Sequence, residues 1–257
     1  MNNKKLLGGA LLGALLVTSY VDVAKASAST AIKTQTSDGV TIHGEKYFSN
    51  LNGKSPLILL FHQAGSNGRG EYGELIPWLN KSGFRVIAWD QRSGGKHFGS
   101  DNRTVNALPA GTANSYCDAY PDLQAALDFT VKKGLADNVV VWGSSYSAAL
   151  VVQLAAKNNG KVSGVASFSP ASGGPMVDCR ARQWIGKVKA PMLFMRPESE
   201  MTRDSSVEQK AILIKAGADF SVVKHGVHGS SMLVDTRTKH DMTQARAGVI
   251  KWLKDNG

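Results

Sequence analysis

One serine of this chain stands in a sequence that fits nucleophilic chemistry. Ser145 is the third residue of Gly143-Ser144-Ser145-Tyr146-Ser147, between an apolar run and an alanine-rich segment. A G-x-S-x-G-like turn lifts the serine hydroxyl clear of the strand and aims the next amide at a developing oxyanion. We therefore expect Ser145 to be a nucleophile and the Tyr146 N–H an oxyanion donor. The fifth residue is serine instead of glycine, and a helix cap without chemistry is the competing interpretation.

A serine hydroxyl is a weak nucleophile at neutral pH, so it needs a base and an acid that orients the base. Only six histidines are available. His228 follows the last expected strand, at the sheet edge facing the serine turn, and His225 is its close competitor. The acid is expected after the preceding strand, which favours Glu200, with Glu198 as its rival. The chain order would then be Ser145, Glu200, His228.

Other polar residues at the expected strand ends have simpler interpretations. His225 and His228 have the spacing of a metal pair, but no third ligand lies nearby in the sequence, so we expect no metal and no cofactor. Asp90 is expected to cap a turn or to pair with Arg92. His62 is expected to hold its loop as a structural histidine.

The loop His62-Gln63-Ala64-Gly65-Ser66 follows the first buried apolar run. Its small residues allow a second backbone amide to approach an oxyanion. We favour the amide of Ala64, with that of Gln63 as the alternative.

From residue 31 onward, strand patterns alternate with helix patterns, and these elements must position the candidate residues. Such alternation indicates βαβ crossovers and a largely parallel sheet, whose strand ends carry function. The expected strands are 31–36, 40–48, 56–61, 84–89, 138–142, 162–168, 191–195 and 220–224. The expected helices are 71–81, 121–133, 146–157, 205–215 and 242–254, with a long loop at 90–115.

The composition is that of a globular protein. The chain has 257 residues, of which 42% are hydrophobic and 19% are charged, so disordered and fibrous classes are excluded. No apolar run reaches the roughly 18 residues of a membrane-spanning helix.

The net charge of +10 comes from scattered basic residues. A basic face with interleaved aromatic residues is not visible, so we expect no nucleic-acid partner. The densest stretch is interpreted as a solvated cationic surface. It contains Arg180, Arg182, Lys187, Lys189, Arg196 and Arg203.

The first residues have the pattern of a secretory signal. A short cationic start precedes an apolar run, and Ala24-Lys25-Ala26 offers small residues for cleavage. We expect a signal peptide at 1–26, with cleavage after Ala28 as an alternative, and a single domain at 27–257. A buried amphipathic helix is the competing interpretation. The expected location is the periplasm or the extracellular space, without stable membrane insertion after cleavage.

The chain has two cysteines, Cys117 and Cys179, which are too few for a zinc or iron–sulfur site. In an exported protein we expect them to form a disulfide. Two separate buried thiols are the alternative.

With these residues in place, the chain resembles the α/β-hydrolase superfamily over residues 31–257. It is most similar to the compact esterases grouped with dienelactone hydrolases. The segment Asp90-Gln91-Arg92-Ser93-Gly94 resembles a stretch common after the fourth strand of these enzymes. The resemblance implies Ser145 as nucleophile, His228 as base and Glu200 as acid. It also implies the amides of Ala64 and Tyr146 as the oxyanion hole.

The resemblance implies an α/β fold with a single domain, a mostly parallel twisted sheet and helices on both faces. The segment 170–190 is too short for a large cap, so we expect an open pocket covered by 90–115 and 172–184. Dienelactone hydrolases carry cysteine at the position of Ser145, which favours ester hydrolysis over lactone chemistry.

We therefore expect an exported serine hydrolase that cleaves small-molecule or polymeric carboxylic esters through an acyl-enzyme. A peptidase or acyltransferase with the same triad is the first alternative. A non-catalytic envelope binding protein on a hydrolase scaffold is the second. The sequence specifies neither the ester nor the oligomeric state.

Overall fold

The computed structural model describes residues 29–48 and 51–257. The expected signal peptide, residues 1–26, lies outside the described residues. Within the described part, eight strands form one sheet in the order β1-β2-β4-β3-β5-β6-β7-β8. The strands are β1 (Thr30–Gln35), β2 (Thr41–Tyr47), β3 (Leu57–Phe61), β4 (Arg85–Asp90), β5 (Val139–Ser144), β6 (Val162–Phe168), β7 (Met192–Pro197) and β8 (Asp219–Val223). The pairs β1–β2 and β2–β4 are antiparallel, and all other pairs are parallel.

Helices connect the parallel strands and cover both faces of the sheet. They are α1 (Gly68–Tyr72), α2 (Leu75–Lys81), α3 (Arg103–Ala107), α4 (Tyr120–Lys132), α5 (Tyr146–Lys157), α6 (Asp204–Lys215), α7 (Asp235–Thr238) and α8 (Thr243–Asn256). The expected fold class is therefore confirmed: a mostly parallel α/β sheet in a single domain.

Two apolar clusters, one on each face, hold the helices to the sheet. In a strand, successive side chains point to opposite faces. In β3, Leu57, Leu59 and Phe61 accordingly join the cluster under α4 and α5. Ile58 and Leu60 join the cluster under α2 and α8. A strand buried on both faces is rigid, so the loops at its carboxyl end start from fixed positions.

The connection between β3 and β4 differs from the expected single helix at 71–81. The chain forms two short helices, α1 and α2, that are separated at Gly73 and Glu74. Asn67 starts α1, because its side-chain oxygen accepts the Gly70 N–H at 2.7 Å. This cap starts the helical segment earlier than expected and places Glu71 in the interior, where it is fully buried.

Of the two interpretations of Asp90, the pairing with Arg92 is wrong, and the capping of a chain turn is confirmed at the starts of α1 and α3. The Asp90 carboxylate accepts the Gly68 N–H at 2.9 Å and pairs with Arg103 at 3.1 Å. Arg92 instead lies between the carboxylates of Asp122 and Asp38, at 2.7 and 2.5 Å. Helix α3 forms inside the segment 90–115, which is expected to be a loop throughout. The Asn102 side chain caps this helix by accepting the Val105 N–H at 2.8 Å, and the Arg103 N–H donates to Asp90.

The upper side of the sheet carries short connections. Between β6 and β7 the described chain has only brief 3-10 turns, with no large cap. A disulfide joins Cys117 and Cys179, which are 62 residues apart, and so ties this connection to the segment before α4. A loop of that length lowers the entropy of the unfolded chain enough to stabilise the fold by about 4 kcal/mol in the chain-entropy model. None of the helices in the described residues is long and apolar enough to cross a membrane.

Candidate active site

Ser145 occupies a strained turn between β5 and α5. Its φ of 60° and ψ of −116° lie in a region that a residue with a side chain rarely adopts. The turn requires a close approach of strand and helix, since a Cβ atom at Gly143 would lie 2.7 Å from the Ala148 nitrogen. Ser145 remains 9% exposed at the carboxyl edge of the central strand. The backbone itself therefore presents the hydroxyl at the edge of the sheet.

The structure brings Ser145, His228 and Glu200 together. His228 Nε2 lies 2.8 Å from Ser145 Oγ, and His228 Nδ1 lies 2.5 Å from Glu200 Oε1. With its proton on Nδ1, the imidazole donates to Glu200 and accepts the Ser145 hydroxyl proton at Nε2. This is the geometry of a nucleophile, a base and an orienting acid.

The two competing residues lie elsewhere. Glu198 is half-exposed and accepts the backbone N–H of His225 at 2.8 Å. The His225 ring stacks on His240, with ring centroids 4.1 Å apart. Both therefore support the loop that precedes His228, and neither contacts Ser145.

Arg196 lies beneath the candidate acid, although the sequence predicted it on a solvated surface. It is buried at the end of β7, and its guanidinium donates to Glu200 Oε2, the Pro170 carbonyl and Gln209 Oε1. Burial raises the pKa of Glu200, but the hydrogen bond and charge of His228, together with the charge of Arg196, hold it below its ordinary value. Glu200 is therefore an ionised carboxylate at neutral pH, with both oxygens occupied.

The loop that carries His228 is attached to the ends of two strands. The Gly229 N–H donates to Ser169 Oγ at 3.1 Å, just beyond β6. The Ser230 N–H donates to Ser144 Oγ at 2.9 Å, at the end of β5. These bonds fix the imidazole relative to the turn that carries the serine.

The two backbone amides predicted as oxyanion donors, those of Tyr146 and Ala64, are not bound to acceptors in the described chain. Tyr146 is the first residue of α5, and the amides of a first helical turn have no intrahelical acceptor. The Ala64 N–H makes no hydrogen bond to any described residue. The alternative donor, the Gln63 N–H, is already bound to Glu71 Oε2 at 2.6 Å.

His62 holds the loop of residues 62–66, which is called the oxyanion loop here after the function predicted for Ala64. Its Nδ1 lies 2.8 Å from the Gln63 carbonyl oxygen, and its Nε2 accepts the Gln91 N–H at 2.8 Å. Burial lowers the pKa of His62, which is therefore neutral with its proton on Nδ1. Ser147 has a related function, because its hydroxyl donates to the His62 carbonyl and accepts from the Gln91 side chain, both at 2.6 Å. The serine at the fifth motif position thus fixes the turn to the oxyanion loop.

Four residues that support the site, Arg196, Glu71, Ser169 and Gln91, have no function predicted from the sequence. A charged residue at the end of a buried apolar strand was the one available signal for Arg196. No local pattern separates Glu71 from an exposed helical glutamate. For metals, residues 29–48 and 51–257 contain no group of three or more histidine, cysteine, aspartate or glutamate residues arranged to bind an ion.

Comparison with known proteins agrees with this fold. The model of the Hydrolase_4 family, described as serine aminopeptidase S33, matches residues 54–246. No curated protein sequence matches the chain.

Several solved structures have the same fold. An esterase from Pyrococcus furiosus superposes with a TM-score of 0.64 at 15% identity, covering 89% of this chain and 91% of that one. A dienelactone hydrolase from Anabaena variabilis gives 0.67 at 14% identity, covering 90% and 99%. Est1E from Butyrivibrio proteoclasticus, with ferulic acid bound, gives 0.67 at 14% identity, covering 88% and 98%.

Proposed function

This chain belongs to the Hydrolase_4 family of α/β-hydrolases, and from that premise we propose that it is an exported serine hydrolase that cleaves carboxylic esters through an acyl-enzyme. One observation carries the proposal. Ser145 Oγ, on a strained turn, lies 2.8 Å from His228 Nε2, whose other ring nitrogen faces Glu200. A hydroxyl, a base and an acid in this order are what acyl transfer requires.

In the proposed first step, Ser145 Oγ attacks the ester carbonyl carbon while His228 Nε2 takes the hydroxyl proton. Glu200 stabilises the imidazolium that forms. The carbonyl oxygen becomes an oxyanion, which the N–H groups of Ala64 and Tyr146 bind. The imidazolium then donates its proton to the leaving alkoxide, and the alcohol departs.

In the second step, water attacks the acyl-enzyme and His228 again acts as the base. The tetrahedral intermediate collapses, the acid leaves, and Ser145 recovers its proton. The buried, ionised Glu200 supports both steps, because it favours the cationic imidazole in each transition state.

An ester is favoured as the substrate because structures of the same fold include a protein described as an esterase and one described as a dienelactone hydrolase. A peptidase activity is the second candidate, because the family is described as serine aminopeptidase. Amides differ from esters in their poorer leaving group, so the same machinery would need a better-placed proton donor.

A fluorophosphonate probe and a substrate panel test this proposal. We expect the purified protein to be labelled at Ser145 and to hydrolyse p-nitrophenyl acetate and longer acyl esters. Aminoacyl p-nitroanilides form the peptidase arm of the panel. Turnover of the anilides in preference to the esters would replace the ester proposal with the peptidase, and the absence of labelling would reject a serine hydrolase.

Export is proposed from the signal-like sequence at 1–26 and is supported by the disulfide between Cys117 and Cys179. We expect the protein recovered outside the cytoplasm to begin at Ser27. Sequencing of its N-terminus checks this, and an intact Met1 on that protein would contradict the cleavage.

A further inference from the structure

Glu71 is a buried carboxyl that the proposed mechanism does not use. It lies in α1, beneath the oxyanion loop, and is fully buried. Its Oε2 accepts the Gln63 N–H at 2.6 Å, and the Ser144 hydroxyl interacts with the same carboxyl. Burial of a carboxyl is costly unless hydrogen bonds compensate for it, so the bonds that Glu71 makes are the feature to explain.

The contact with Gln63 determines the direction of one peptide group in the oxyanion loop. The Gln63 N–H is held by Glu71, and the Gln63 carbonyl is held by His62 Nδ1 at 2.8 Å and by the Ser66 N–H at 3.2 Å. The Gln63 carbonyl and the Ala64 N–H belong to the same planar trans peptide, so they point in opposite directions. Holding Gln63 on both sides therefore fixes where the Ala64 N–H points.

Helix α1 is itself held firmly. Arg237 donates to the carbonyl oxygens of Glu71 and Gly70, each at 2.9 Å. The same guanidinium donates to Ser231 Oγ at 3.0 Å, in the loop that follows His228. Glu71 is thus anchored to the segment that carries the candidate base, and it connects that segment to the oxyanion loop.

We infer that Glu71 is a positioning residue that orients the Gln63–Ala64 peptide and so places the Ala64 N–H at the oxyanion. The inference rests on the proposed function, since an oxyanion donor matters only for acyl transfer. Glu71 does not touch the reacting atoms, so it acts through the backbone of Gln63. Its effect belongs to the transition state, in which the oxyanion exists, and not to the binding of the uncharged ester.

The positioning does not depend on the charge of Glu71. Burial raises the pKa of Glu71 to about 7, although the nearby Ser144 hydroxyl and the Gln63 amide lower it. In either protonation state an oxygen remains that accepts the Gln63 N–H. Glutamine in place of Glu71 retains such an oxygen at the same distance along the side chain, whereas aspartate is one methylene shorter.

The test compares Glu71→Gln with Glu71→Asp, using p-nitrophenyl acetate for kcat and KM and phenylboronic acid as a tetrahedral transition-state mimic. We expect Glu71→Gln to keep most of the wild-type kcat. For Glu71→Asp we expect kcat to fall about 10- to 100-fold through misplacement of the amide. The inhibition constant of the boronate should rise by a similar factor, while KM stays unchanged. Glu74→Asp, an exposed carboxylate just before α2, is the matched control and should leave all three values unchanged.

Three results would overturn the inference: a Glu71→Asp variant with wild-type kcat, a Glu71→Gln variant that loses as much activity as Glu71→Asp, or a rise in KM alone. Circular dichroism checks folding, and if Glu71→Asp does not fold, a loss of kcat in Glu71→Gln still overturns the inference. Wild-type protein that neither turns over esters nor reacts with the fluorophosphonate would reject the proposed function. Wild-type activity with an insensitive Glu71 would reject only this inference.

Discussion

Replacement of Ser145 by alanine should lower kcat for p-nitrophenyl acetate by a factor on the order of 10⁶, as removal of the nucleophile does in serine hydrolases. Without Oγ no acyl-enzyme forms, and the remaining rate comes from the oxyanion amides and from substrate binding. The measurement is steady-state turnover, together with the loss of fluorophosphonate labelling in Ser145→Ala.

Ser144→Ala provides the comparison for this result. The Ser144 hydroxyl lies next to Ser145 in the sequence but accepts the Ser230 N–H at 2.9 Å. A single buried hydrogen bond contributes about 1 kcal/mol, so kcat should fall less than about tenfold. Equal activity of Ser145→Ala and the wild type would defeat the assignment of the nucleophile.

The second large effect is expected for the acid. Glu200→Gln should lower kcat by a factor on the order of 10⁴, the loss seen when an amide replaces the carboxylate of a triad. The amide no longer stabilises the imidazolium of His228, and it leaves the buried Arg196 without its anionic partner. Because the pKa of the Glu200 carboxyl is held low by His228 and Arg196, its function depends on a charge that glutamine lacks.

Glu198→Gln is the control that the sequence itself offers. Glu198 was the rival for the acid, but its side chain is 49% exposed and bonds the backbone of His225. Turnover by Glu198→Gln should stay close to that of the wild type at all pH values measured. A loss comparable to that of Glu200→Gln would mean that the two carboxylates exchange functions in solution.

The central strands and helices were predictable because their patterns are local. The expected helix at 146–157 and strand at 162–168 agree with α5 and β6 at both ends. Both are apolar segments with clear limits, and burial on the sheet reinforces what the pattern already favours. The expected strands at 191–195 and 220–224 are each displaced by one or two residues from β7 and β8.

The elements that the sequence did not predict combine local and distant contacts. Helix α3 has a local cap, because the Asn102 side chain accepts the Val105 N–H at 2.8 Å, and its first N–H also donates to Asp90, thirteen residues earlier. The Asn102 cap was an available local signal, whereas the contact with Asp90 has no signature within a window of adjacent residues. The same holds for the bond between Glu71 and the Gln63 N–H, eight residues away.

The sequence predicted the residues that form the candidate site, but it did not predict the buried residues that hold them in place. The turn motif predicted Ser145, and the expectation that functional residues lie at the carboxyl ends of parallel strands predicted His228 and Glu200. The structure places the three side chains in contact. The buried partners Arg196 and Glu71 look like ordinary surface charges in the sequence. Their burial arises from the packing of whole elements, which no single segment encodes.

The short connection after β6 has a consequence for the acyl-enzyme that we propose. No cap follows that strand in the described chain, and the His228 side chain is 51% exposed. Bulk solvent therefore reaches the imidazole that would activate the second nucleophile. Water at about 55 M (its bulk concentration) competes with any alcohol acceptor unless a dry pocket excludes it. Because the site is open to solvent, this architecture favours hydrolysis of the acyl-enzyme to a free acid over transfer of the acyl group to an alcohol.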